Sequence, residues 1–262
     1  MIEKDAGIVF NRKVAHATFL MGLNAPEIAG KAAPGQFVML RVTKGIDPLL
    51  RRPFSISGVQ GTDTLLILYR AVGRGTSIMS EKKEGESVSL LGPLGNGFDL
   101  EASKKKMILL AGGIGIAPLL FVAQRLEPAS YRFMTGFRSK QEIIGADGTG
   151  IILNNNEIST DDGSFGRKGF VTDLLKGRIE RDGPEGVCLF TCGPLLMLKN
   201  AVKIAAESRI PCQVSLEANM ACGLGACQGC AVPASVAMNE TYYHVCQDGP
   251  VFEMNQIDWD RI

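Results

Sequence analysis

Net charge is almost absent: 28 lysines and arginines oppose 27 aspartates and glutamates, which leaves +1 over 262 residues. Such a chain has no field with which to collect nucleic acid or an anionic membrane surface, so neither is an expected partner. A membrane-length apolar run is missing too. The stretch most like one, residues 107–123, contains Gly112, Gly113, Gly115 and Pro118 and falls short of the ~20 apolar residues that a span requires. A secretory leader is not in evidence, because M-I-E-K-D-A-G-I-V-F puts acids where such a leader carries bases and then an apolar run. The expected location is therefore the cytoplasm, where a disulfide framework has no support. What remains is the composition of an ordinary globular protein, 45% hydrophobic and 21% charged, long enough for one large domain or two to three small ones.

Cysteine is concentrated rather than scarce. Cys222, Cys227, Cys230 and Cys246 form C-x4-C-x2-C-x15-C, whose first three members have the spacing of the loop that holds a plant-type [2Fe-2S] cluster. Gly223, Gly225 and Gly229 would let that loop turn through positive φ and bring N–H groups toward the sulfurs. A structural zinc site is the competing reading, although zinc more often pairs two C-x2-C knuckles than a triplet of this kind.

Residues 1–101 read as short strands broken by turns, the pattern of a small antiparallel barrel. Strands are expected at 14–20, 36–42, 65–69 and 87–91, with one short helix at 76–82. Two stretches carry chemistry. Arg51-Arg52-Pro53-Phe54-Ser55 sets a guanidinium, a ring and a hydroxyl on an extended segment, and an arginine fork suits a pyrophosphate. Tyr69-Arg70-Ala71-Val72-Gly73-Arg74-Gly75-Thr76 runs into a helix start, where free N–H groups and the dipole favour phosphate.

Residues 102–211 alternate strand and helix. The apolar run 107–111 is that of a fully buried parallel strand, and G-G-I-G-I-A-P follows it directly into a helix ending at Arg125. Strands are expected at 132–137, 151–154 and 187–191, and helical pieces at 140–144, 172–175 and 195–208. A glycine turn between strand and helix is where doubly wound folds hold nucleotide phosphates, so Gly112, Gly113 and Gly115 are candidate contacts, although the Rossmann spacing is absent. A second turn, Cys192-Gly193-Pro194, opens the helix at 195–208. It would lie at the same carboxyl edge of the sheet. Cys188 reads as structural, and 161–166, D-D-G-S-F-G, is a polar turn that could meet the adenosine half of a nucleotide but on sequence alone is a loop.

In this order, R-P-F-S, a glycine–threonine turn, G-G-I-G-I-A-P and C-G-P resemble the ferredoxin reductase superfamily. With S-L-E-A-N-M-A-C-G-L-G-A-C-Q-G-C and V-C-Q-D-G-P-V-F added, the chain resembles the electron transfer subunits of two-component, NAD-dependent dihydroorotate dehydrogenase. The resemblance implies a multidomain α/β plus β protein: an antiparallel FAD-binding β-barrel (1–101), a doubly wound parallel NAD-binding domain (102–211) and a small C-terminal [2Fe-2S] domain (212–262). It implies FAD contacts from Arg52, Pro53, Phe54, Ser55, Tyr69, Arg70, Ala71, Gly75 and Thr76, with Phe54 replacing the family's tyrosine and so lacking its hydroxyl. It places Cys192 near the nicotinamide, and it implies a separate FMN-containing catalytic subunit that binds dihydroorotate, two of each chain forming a heterotetramer. Related subunits of a hydrogenase, a sulfite reductase or a ferredoxin:NADP oxidoreductase are the nearest alternatives. A zinc-stapled nucleotide-binding module without redox chemistry is the alternative of another class.

Overall fold

The computed structural model describes residues 1–101, 106–144 and 156–262. The N-terminal part closes into a six-stranded antiparallel barrel in the order β1-β2-β5-β4-β3-β6. Its strands are β1 (Ile2–Ala15), β2 (Thr18–Asn24), β3 (Phe37–Arg41), β4 (Arg52–Gln60), β5 (Thr64–Arg70) and β6 (Ser87–Leu94), with helices α1 (Pro26–Ala29) and α2 (Arg74–Glu81) at its ends. Alternate residues point inward, so Met21, Leu23, Val38, Leu40, Ile56, Leu65 and Ile67 fill the interior.

Two expectations here are corrected. The strand expected at 14–20 is the junction of two, because the chain reverses at His16 and Ala17, the latter at φ 51. No glycine, proline or asparagine marks that turn, which tolerates a left-handed alanine at roughly 1 to 2 kcal/mol. The helix expected from 76 starts at Arg74, so Gly75 and Thr76 lie inside its first turn.

The second unit is a seven-stranded sheet in the order β10-β9-β8-β7-β11-β12-β15. It comprises β7 (Lys106–Gly112), β8 (Tyr131–Phe137), β9 (Asn156–Thr160), β10 (Arg167–Lys168), β11 (Val187–Cys192), β12 (Cys212–Ser215) and β15 (Val251–Glu253). All its pairings are parallel except β12 with β15. Helix α3 (Ile116–Arg125) covers one face, and α4 (Val171–Asp182) and α5 (Leu195–Glu207) cover the other. The alternation of β7 shows why that strand is apolar throughout: Met107, Leu109 and Ala111 pack on the first face, Ile108 and Leu110 on the second. Helix α4 outruns the piece expected at 172–175, and only Lys140–Glu142 of 140–144 is helical, as one 3-10 turn. The strand expected at 151–154 lies outside the described residues.

The sheet does not stop at residue 211. It takes Cys212–Ser215 and later Val251–Glu253, so the C-terminal segment leaves the sheet, folds around the cysteines and the hairpin of β13 (Ala231–Pro233) and β14 (Tyr242–His244), and returns to it. That segment also docks on the barrel. Asn96 Nδ2 donates to the carbonyls of Gln247 (3.2 Å) and Asp248 (3.0 Å). Barrel and sheet are tied by Gln124 of α3, whose amide makes both main-chain hydrogen bonds of Val59 in β4, at 3.0 and 2.5 Å.

Candidate functional site

The four cysteines come together in two pairs. Cys230 and Cys246 are buried with their sulfurs 3.3 Å apart, whereas Cys222 is half-buried and Cys227 exposed. Main-chain N–H groups donate to the sulfurs: Leu224 (3.3 Å) and Cys227 (3.4 Å) to Cys222, and Gly225 (3.1 Å) to Cys246. Those donors, Leu224 first, lower the Cys222 thiol to about 6. Burial, then Cys230, raises Cys246 to about 12. Two pairs of sulfurs with N–H groups aimed at them fit a group with two irons, each needing two thiolates.

The loop's backbone departs from expectation at one position. Gly223 (φ 74) and Gly225 (φ 77) are left-handed, but the third such residue is Gln228 (φ 58), not Gly229. Gly223 has a second reason to be glycine. A β-carbon there would lie 2.5 Å from Met39 Cγ of barrel strand β3, so the cysteine loop rests directly on the barrel. Met39 in turn is the strand partner of Pro53.

Pro53 belongs to the first of the two barrel stretches, and the fold brings that stretch to the second. A β-carbon on Gly75 would overlap Arg52 Nε, so the guanidinium lies against the first turn of α2. Its Nη1 donates to Leu50 O. Phe54 is half-buried, packed edge-on to Tyr69 at 6.1 Å. Ser55 and Ala71 are half-buried alongside. Two side chains named with this group are already occupied. Tyr69 is 1% exposed, and its hydroxyl donates to Asn11 Oδ1 at 3.0 Å. Burial raises its pKa to about 12. Thr76 Oγ1 accepts from the N–H groups of Val72 and Gly73 and donates to Gly73 O, so it shapes its own turn.

The two turns of the sheet meet back to back. A β-carbon on Gly115 would overlap Cys192 O, and one on Gly112 would lie 2.6 Å from Met197 Sδ and 2.7 Å from Pro194 Cδ. Beside them opens a cavity of about 580 Å³ lined by Gly112, Gly113, Gly115, Gly193, Pro194 and the start of α4. Three helix N-termini thus face one space, the arrangement that holds an anionic ligand. Cys192 itself is 1% exposed and does not line the cavity. Burial, then Glu217, raises its pKa and keeps the thiol neutral.

Glu217, Asp161, Arg138 and Glu142 also line the cavity; Asp161 belongs to the polar turn 161–166, Glu142 to the piece expected as helix and Glu217 to the cysteine motif, and none of the four carries a motif that marks it as a cavity residue. The Glu217 side chain reaches solvent at the cavity's lip, yet the protein around it raises its pKa by desolvation.

A closed barrel, a nucleotide-type cavity beside it and a paired-thiol loop between them define a class. Its members combine a ferredoxin-reductase-like two-domain body with an iron-sulfur appendage. The chain superposes on the structure of an NADH-dependent reduced ferredoxin-NADP oxidoreductase with a TM-score of 0.82 and 30% identity, covering 97% of this chain and 90% of that one. It also matches the fold of a ferredoxin NADP+ reductase from Neisseria gonorrhoeae, solved with bound FAD and NADP, at a TM-score of 0.66 and 18% identity over 79% and 91% of the two chains. Residues 217–258 match the family described as the iron-sulfur cluster binding domain of dihydroorotate dehydrogenase B, which sets the zinc reading aside. Over nearly its whole length the chain is 41% identical to the dihydroorotate dehydrogenase B (NAD(+)) electron transfer subunit of Desulforamulus reducens, covering 98% of each chain. It is 38% identical to that of Bacillus mycoides, covering 98% of this chain and 99% of that one. The chain belongs to the family of dihydroorotate dehydrogenase B electron transfer subunits.

Proposed function

We propose that this chain passes electrons between NAD and a separate FMN-containing catalytic subunit that oxidises dihydroorotate in pyrimidine synthesis, as part of a heterotetramer of two chains of each kind. It carries FAD, a [2Fe-2S] cluster and an NAD site. The work divides among residues 1–101, 102–211 and 212–262, the last interleaved with the second through β12 and β15. The observation that carries this reading is contact: Gly223 of the cysteine loop lies on Met39, and Met39 pairs with Pro53 of the arginine–phenylalanine stretch. One strand spacing, about 4.8 Å, separates the main chain under the cluster loop from the main chain under the flavin stretch.

A flavin exchanges two electrons with a nicotinamide as hydride and single electrons with an iron-sulfur cluster, which is the chemistry FAD supplies between the other two groups. The protein's part is to hold and orient. Arg52, with the free N–H groups at the start of α2, takes the flavin diphosphate, while the ring of Phe54 covers the flavin and Ser55 lies near it. Pro53, Tyr69, Ala71 and Gly75 line the site through main chain and shape, and Thr76 holds the turn. Gly112, Gly113 and Gly115 hold the dinucleotide, with Cys192 supporting the nicotinamide end from beneath Gly193. Cys222, Cys227, Cys230 and Cys246 supply four thiolates, a chemistry that suits a reducing cytoplasm. Among the described residues no helix is long and apolar enough to cross a membrane. The exposed side of the cluster loop, at Cys222 and Cys227, faces the catalytic subunit.

The test is reconstitution. The lone chain, loaded with FAD and cluster, should pass electrons from NADH to artificial dyes but should not reduce NAD with dihydroorotate until the catalytic subunit is added. Cys227→Ala should block the second reaction and leave part of the first. Dihydroorotate-dependent NAD reduction by the lone chain would overturn the division of labour.

A further inference from the structure

By its place after Tyr69 the resemblance puts Arg70 among the flavin contacts, but in the fold its guanidinium reaches toward the sheet domain. It lines the 580 Å³ cavity together with Gly112, Gly113 and Gly115, and it reaches across to the sheet domain to pair with Glu142. Nη2 lies 2.7 Å from Oε1 and Nη1 3.5 Å from Oε2, with side-chain exposures of 30% for Arg70 and 14% for Glu142. The junction is braced on the same side, where His16 N of the barrel donates to Gln141 O of the sheet domain at 2.9 Å.

A guanidinium has five donors, and one carboxylate engages two of them. The others remain for the cavity. The charged residues lining that cavity are two arginines, Arg70 and Arg138, against three carboxylates, Glu142, Asp161 and Glu217. A ligand with a diphosphate therefore depends on those arginines beyond what the helix N-termini provide: the carboxylates already outnumber them by one, and without Arg70 they would outnumber the remaining arginine by two.

We propose that Arg70 is a binding residue for the diphosphate of the nicotinamide dinucleotide, lent by the barrel to the neighbouring domain's cavity, and that Glu142 is the positioning residue that holds its fork there. This rests on the reading that the cavity takes such a dinucleotide. The nucleotide then bridges the two domains, so its binding and their relative placement are linked.

The experiment titrates the FAD- and cluster-loaded chain with NADH, ADP and adenosine. Arg70→Gln should weaken NADH and ADP binding by about 10- to 100-fold, the range for a lost charge-assisted contact. Adenosine affinity, FAD content and the cluster spectrum should hold. Arg70→Lys, which keeps charge without the fork, should fall between. Glu142→Gln should raise the KM for NADH several-fold with kcat for dye reduction retained, and it should add nothing in the Arg70→Gln background. Unchanged NADH and ADP affinity in both Arg70 variants, or FAD loss with nucleotide affinity intact, would overturn the assignment of Arg70. Additive effects of the two substitutions would overturn the role of Glu142. If the parent chain binds neither NADH nor ADP, the cavity reading itself fails.

Discussion

In the proposed reading the cysteine loop and the glycine-lined cavity solve the same problem, holding a cofactor between domains, by opposite means. The loop draws all four thiols from the segment between Cys222 and Cys246, and in the proposed reading it presents side chains as direct ligands. The cavity draws from the β7–α3 turn, the ends of β8 and β9, the start of α4, the β11–α5 turn, Glu217 and, from the barrel, Arg70. Its most intimate surfaces are main chain, which is why Gly112, Gly115 and Gly193 crowd one another there. Ligation by side chains is all-or-none. Binding by a shaped surface is graded.

The contrast is sharpest for Cys230→Ser, since a buried sulfur 3.3 Å from that of Cys246 has no substitute. The purified variant should hold no [2Fe-2S] cluster by iron and labile-sulfide assay, and a normal content would show that the pairing is not the ligand arrangement. The matched control is Cys212→Ser, 1% exposed on β12 and outside the loop. It should keep the cluster while losing about 1 to 3 kcal/mol of stability for a buried hydroxyl, as read from denaturant unfolding.

A smaller effect is expected at the cavity. Gly115→Ala places a β-carbon against the main chain of Cys192, a crowding worth about 1 to 3 kcal/mol. Affinity for NADH should fall by roughly 5- to 150-fold, with cluster and FAD content unchanged. If NADH binding is unaffected, the two turns are free to separate and the surface is less rigid than its contacts indicate.

Tyr69 tests whether the barrel beneath the flavin stretch behaves as a closed core. Its folded pKa, about 12 against an ordinary 10.0, is raised, so its contribution is complete below pH 10 and is lost as pH climbs from 10 toward 12. The linkage amounts to roughly 2 to 3 kcal/mol. Stability should therefore drop over that window in the parent and drop less in Tyr69→Phe. Equal slopes in the two proteins would mean that the hydroxyl ionises freely in the folded state.

The smallest change belongs to the loop again. Gln228→Gly relieves a left-handed residue, but glycine costs unfolded-state entropy, so a net gain of about 0.5 kcal/mol or less is expected. A loss above about 1 kcal/mol would reveal a role for the glutamine side chain.

Legibility followed the same division. Cysteine spacing, the all-apolar β7 and the two glycine turns could be read directly, because each depends on residues near one another in sequence or on a period imposed by burial. The turn at Ala17 and the left-handed Gln228 could not, since tertiary packing there overrode local preference. Thr76 and Tyr69 stand in the second barrel stretch that the sequence marks, but their partners, Gly73 and Asn11, became visible only in three dimensions.

Order along the chain was enough to suggest three kinds of segment and to single out four thiols in one of them, because strand periodicity, glycine turns and cysteine spacing are local. Which of those segments touch was decided by the tertiary structure. Closing the barrel set Met39 between Gly223 and Pro53, and carrying β12 and β15 into the sheet bound the cysteine segment to the second domain. The same docking turned Arg70 away from its neighbours in sequence and toward Glu142. The physical reason is that a side chain at the end of a barrel strand has no partner until another domain's surface is packed against it.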